Sequence, residues 1–173
     1  MRYTPFSGSM WHALYIILPI AIIVYLLNLW SLGKADHYFF DPKHNNNPRL
    51  KTEGGNFEPH SKRYQDLAKL AITLSAGALA FLVSVTLSEK PMNPAFAVRI
   101  LEVAPIVAGF FGSTIALLVA FMLFQALNYE AYCHSGDHST YKPWRYALSL
   151  ALGFTGLIAF VLGFLWLADN LFR

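Results

Sequence analysis

Four apolar runs, at 11–32, 67–87, 100–127 and 146–168, fix what this chain can become. Each is long enough to cross a hydrocarbon layer of roughly 30 Å, which takes about 20 helical residues. Asp, Glu, Lys and Arg are missing from 11–33, 70–88, 103–129 and 146–168. A soluble fold has no use for four helices that are apolar all round, because too little chain remains to cover them. Only 13% of the residues are charged and 55% are apolar, whereas ordinary soluble domains carry about 25% charged residues. The sequence therefore predicts an all-α integral membrane protein with transmembrane helices at about 11–32, 64–88, 98–128 and 145–169. These are expected to form one domain over 1–173, with connections at 33–63 and 129–145.

The tryptophans agree. Trp11 and Trp30 bracket the first run, and Trp144 and Trp166 the fourth. At 1.5 Å rise per residue these separations are roughly 28 and 33 Å, close to one membrane thickness. Trp favours the interface because its ring is apolar while its N–H wants a partner. The first run has only Arg2 ahead of it and no small-residue cleavage pattern behind it. It reads as a retained helix rather than a secretory signal.

Orientation follows from the basic residues. Lys34, Lys43, Arg49, Lys51, Lys62, Arg63, Lys69, Lys142 and Arg145 fall on the side of the 33–66 and 129–145 connections, nine in all, against Arg2, Lys90, Arg99 and Arg173 opposite, four in all. The positive-inside rule places both connections in the cytoplasm and both termini outside. With no organellar targeting feature in the sequence, a bacterial cytoplasmic membrane is the expected location.

Membrane helices associate by close backbone approach, since lipid tails are as apolar as leucine. Small residues recur at suitable spacing. The second helix carries Ala76, Ala80, Ser84 and Ser88, and the third Ala104, Ala108, Gly112, Ala116 and Ala120. The fourth carries Ser149, Gly153, Gly156 and Gly163 within one arc. These stripes are expected to be the packing faces of a compact bundle. Pro91 and Pro94 forbid a continuous helix between the second and third runs, which predicts a tight antiparallel hairpin with the fourth helix against it. The first helix is bulky and β-branched, with Pro19 as an expected kink. It is expected to be peripheral and lipid-facing, or to dock a partner through Asn28.

Chemistry-bearing residues gather in the two connections. His37, His44, His60, His134 and His138, five of the six histidines, share one side with Cys133, Asp36, Asp41 and Asp137. Cys and His are the common zinc donors, and a site needs three or four ligands arranged tetrahedrally. The stretch EAYCHSGDHST (130–140) supplies Cys133, His134 and His138, and His37 is the donor the longer connection would contribute. The spacing is poor, because Ser135-Gly136 suggests a turn rather than a helical His-x-x-x-His pair. The alternative is a polar loop with a reduced thiol and no cofactor.

Other templates fail. Gly54-Gly55 is followed by no phosphate-binding Lys, and no Gly-x-Ser-x-Gly elbow exists. Glu102, Glu130 and Asp169 lie at helix ends, so none is the mid-bilayer carboxylate that marks proton-coupled transport. Thr73, Ser75, Ser113, Thr114 and Thr155 are the mid-membrane polar groups, and singly such residues usually bond their own backbone.

Three function classes remain. The first is a non-enzymatic multi-pass protein acting by association, as a small accessory subunit or an immunity-type or defence-type protein. The second is an oligomeric pore, and the third a metal-dependent membrane enzyme built on Cys133, His134 and His138. The expected partners are membrane lipid and either further copies of the chain or another membrane protein, and not nucleic acid.

Overall fold

The computed structural model describes residues 9–32, 57–88, 94–135 and 143–172. They form four helices: α1 (Ser9–Leu32), α2 (Phe57–Leu87), α3 (Pro94–Ser135) and α4 (Pro143–Phe172). Two begin on proline, Pro94 and Pro143, which suits a first helical position because its missing N–H would have no intrahelical acceptor there. Each helix contains a stretch long and apolar enough to cross a membrane: Trp11–Ser31, Arg63–Leu87, Phe96–Leu127 and Ala147–Leu171. The chain is a membrane protein that is all-helical, with four such spans, among the described residues.

Two helices run past their expected bounds. α2 begins at Phe57 rather than near 64, and α3 continues to Ser135 rather than stopping near 128. Between Leu127 and Ser135 the chain holds no Gly or Pro. Nothing therefore stops the helix until Gly136, a residue type that commonly terminates helices. At 42 residues α3 is roughly 63 Å long, about twice the hydrocarbon thickness. Pro19 lies inside α1 and Pro105 inside α3, and both helices continue through them.

α3 and α4 form the centre. About 39% and 33% of their spanning windows are buried, against 11% for α1 and 17% for α2. The pairings fix the directions. Ala68 and Ala71, early in α2, meet Leu118 and Phe121, late in α3. Leu82, late in α2, meets Ile100, Ala104 and Val107, early in α3. α2 and α3 are therefore an antiparallel pair. α4 is antiparallel to α3 as well, since Gly153 lies against Phe121 and Gly163 against Phe111. α1 packs through Ala13 and Ile17 against Phe110 and Ala159. α1 and α2 scarcely meet, and α2 meets α4 only lightly.

Aromatic rings of α3 fill the space that α4 leaves open. Phe111 and Phe164 meet edge to face at 4.9 Å, as do Phe160 and Phe164; such pairs contribute about 0.5–1.5 kcal/mol beyond area burial. Tyr15, Leu18, Ile22, Ile23, Leu26 and Leu27 of α1 are exposed, so most of this helix faces lipid. The Asn28 Nδ2 donates to the Val24 carbonyl at 2.8 Å, which ties that donor to its own helix.

Candidate functional site

The glycines of α4 face inward for a clear steric reason. A Cβ on Gly156 would stand 2.7 Å from Leu118 Cδ2, and one on Gly163 would stand 3.0 Å from Phe111 Cε1 and 3.2 Å from Phe110 Cβ. At Gly153 it would meet the Phe121 ring at 3.2 Å. Ser149, also fully buried, accepts a hydrogen bond from Gln125 Nε2 at 2.6 Å. This arc is the surface on which α3 sits.

The stripes of α2 and α3 lie elsewhere. Ala76, Ala80, Ser84 and Ser88 are exposed, and α2 packs instead through Ala68, Ala71, Ser75 and Leu82. On α3, Ala104 is buried, Ala108 and Ala120 are half-buried, and Gly112 and Ala116 are exposed. Gly77 and Gly112 have nothing within 4 Å of an added Cβ. The expected α2 stripe is thus not the α2–α3 contact. The physical reason is that α2 meets bulky side chains of α3, Leu118 and Phe121 among them, and its alanines at 68 and 71 give those side chains room.

Part of each stripe occupies one flank. Residues advance by about 100° along an α-helix, so nine positions amount to half a revolution. On α2, Ala76 is nine positions from Leu67, which faces the α4 side; on α3, Gly112 is nine positions from Phe121, which packs on α4. Ala76 and Ala80 of α2 and Gly112 and Ala116 of α3 therefore lie on the side of the α2–α3 pair turned away from α4. The hydroxyls here are satisfied internally, as a lipid-facing surface demands. Thr73 donates to the Lys69 carbonyl at 2.9 Å, Ser84 to the Phe81 carbonyl at 2.9 Å and Thr86 to the Val83 carbonyl at 2.8 Å.

The remaining polar groups are buried between helices. Thr114 is bonded to the Phe110 carbonyl at 3.0 Å. Ser75 Oγ, Thr155 Oγ1 and Gln125 Oε1 are buried without a partner among the described residues. Sequence reasoning passed over Gln125, although a lone amide inside an apolar run is a legible signal, since uncharged polar side chains there commonly bond across helices.

The backbones of Cys133 and His134 belong to the last turn of α3, and not to the turn expected of EAYCHSGDHST. His37 and His138 lie outside the described residues. Among the described residues no group of three or more His, Cys, Asp or Glu side chains is placed to hold a metal. Comparison with known proteins finds no matching family model, no similar curated protein and no similar solved structure.

Proposed function

We propose that this chain is a non-enzymatic multi-pass membrane protein that acts by associating, within the bilayer, with helices of another membrane protein or of a second copy. The observation that carries the reading is the flank away from α4, where Gly112 has open space around it beside exposed Ala76, Ala80 and Ala116. A flat face of small residues lets a foreign helix approach to backbone contact, which is how helices associate where no hydrophobic force acts between them. A small accessory subunit or an immunity-type protein fits this description. The setting is a bacterial cytoplasmic membrane, with 33–66 and 129–145 on the cytoplasmic side by the basic-residue bias.

The test uses Ala80→Cys and Ala116→Cys, each in a Cys133→Ser background and carrying a thiol-attached photo-crosslinker that is activated in native membranes. Cross-linked species are expected from both positions, with a partner of the chain's own mass or another mass, and Gly112→Leu is expected to remove them. If neither cysteine cross-links, while an equally exposed one on α1 does, the α2–α3 flank is not the association face.

A further inference from the structure

Opposite the small-residue flank, α2 and α4 both lean on α3 but hardly touch each other. A cleft of about 100 Å³ opens between them, with Tyr64, Leu67, Leu150 and Phe154 on its sides and Phe121 and Gly153 in its floor. Apart from the Tyr64 hydroxyl, its lining side chains are hydrocarbon. An α-helix with its side chains is about 10–12 Å across, too wide for this space. An apolar void of this size stays dry and takes up hydrocarbon. Leu67 and Phe154 are exposed at its rim, so it opens sideways into the bilayer.

The packing just beyond one end of the cleft is polar, though outside its lining. Leu118, Phe121 and Gln125 stand at i, i+3 and i+7 on one face of α3, so Gln125 lies one turn beyond the floor. It is 4% exposed, its amide N–H donates to Ser149 beside cleft-lining Leu150, and its carbonyl Oε1 has no partner among the described residues. A buried acceptor left unpaired is costly, and a hydrogen-bond donor arriving with an occupant would remove that cost. Tyr64 and Gln125 stand close to the span ends at Arg63 and Leu127, and Ser149 close to the span end at Ala147. This polar packing is therefore at headgroup depth. Arg63 is exposed next to Tyr64, and Arg145 lies 5.5 Å from the Trp144 ring centroid. Arg63, beside cleft-lining Tyr64, supplies positive charge for a phosphate at that level, whereas Arg145 stands on the other side of α4.

We propose that the α2–α4 cleft is a phospholipid site that holds one acyl chain against Phe121 and Gly153 and places a hydrogen-donating headgroup at Gln125. The headgroup class is one with an N–H or O–H, such as ethanolamine. Choline carries neither and leaves Oε1 unpaired. The site lies on the flank opposite the proposed association face and does not depend on it.

The experiment reconstitutes the full chain into vesicles of equal phosphatidylethanolamine and phosphatidylcholine with identical acyl chains, re-extracts it in mild detergent and measures retained lipid by native mass spectrometry. The unmodified chain is expected to keep phospholipid in stoichiometric amount, with ethanolamine lipid enriched roughly fivefold, about 1 kcal/mol of preference. Ala68→Phe, which fills the cleft, is expected to lose the bound lipid, and Leu150→Trp at the rim provides the same reading should Ala68→Phe fail to fold. Gln125→Leu is expected to retain lipid without headgroup preference. Leu26→Phe, on the exposed face of α1 away from both the cleft and the small-residue flank, is expected to behave as the unmodified chain. Retention unchanged by both cleft-filling variants overturns the proposal, as does equal retention of the two headgroups by the unmodified chain. A shift in oligomeric state with no change in bound lipid also overturns it, in favour of a protein occupant.

Discussion

Gly156 and Gly112 sit on neighbouring helices, both inside the spanning stretches, yet they do opposite things. Gly156 is buried, and any side chain there would drive into Leu118; Gly112 is exposed and its missing side chain would meet nothing. One glycine makes room for the fold, and the other leaves room outside it. Small residues spaced for helix contact therefore identify surfaces suited to close approach. Whether the approaching helix belongs to the same chain depends on which bulky side chains face them. α4 presents its glycines to Leu118, Phe110, Phe111 and Phe121, and α2 presents Ala76, Gly77 and Ala80 to no other described element.

The largest expected effect breaks the inner half of this comparison. Gly156→Leu puts four carbons where even one would stand 2.7 Å from Leu118. Its cost should exceed the 1–3 kcal/mol typical of overpacking, on the order of 4 kcal/mol, enough to unfold a marginal bundle. Thermal unfolding in detergent is the measurement, and a melting temperature equal to that of the unmodified chain would remove the α3–α4 interface described above. Gly163→Ala is milder, because the Phe111 ring it meets at 3.0 Å can tilt. About 1–2 kcal/mol is expected there, at the low end for overpacking. Gly112→Ala, the same change on the outer face, should cost nothing measurable in the same assay.

The buried polar groups sharpen the comparison from another side. Thr155→Val removes a buried hydroxyl that has no partner among the described residues and keeps the side-chain shape. Deleting an unsatisfied group relieves its desolvation cost, so stability should stay level or rise by up to about 1 kcal/mol. Thr114→Val is the matched control, because Thr114 bonds the Phe110 carbonyl. A loss of roughly 0.5 kcal/mol is expected there, near the mean for membrane hydrogen bonds. Urea-independent methods such as steric-trap unfolding would resolve the pair, and equal losses in both would mean that Thr155 has a partner after all.

Most of the architecture was legible because lipid imposes a length and an apolar composition that four runs of this sequence satisfy. What the sequence hid was azimuth. The helices are apolar nearly all round, so hydrophobic periodicity cannot say which face meets protein. On α4 the small residues happened to be the inner face, and on α2 they are the outer one. The end of α3 was misread for a local reason: polar residues from Glu130 onward suggest a loop, but polarity does not stop a helix, and no Gly or Pro intervenes before Gly136. Gln125 was overlooked because it falls between the recurrent small residues. Its significance comes only from Ser149 and the cleft beside it, both set by tertiary packing.

The smallest expected effect on stability carries the most information about association. Gly77→Leu and Gly112→Leu place bulk where nothing stands within 4 Å, so each should leave the isolated chain's melting temperature within the equivalent of about 0.5 kcal/mol, as for surface substitutions generally. Gly112→Leu should in addition abolish cross-linking through Ala80→Cys and Ala116→Cys, because a leucine on the groove holds an approaching backbone away. The two readouts must separate. A variant that keeps its fold and loses its partner marks a face reserved for association. If Gly112→Leu instead lowers stability as Gly156→Leu does, the α3 surface around Gly112 is part of this chain's own packing and the inside–outside distinction fails there. If it changes neither readout, the small residues of that flank are only an allowance made to lipid, and the search for a partner moves to the bulky face of α1.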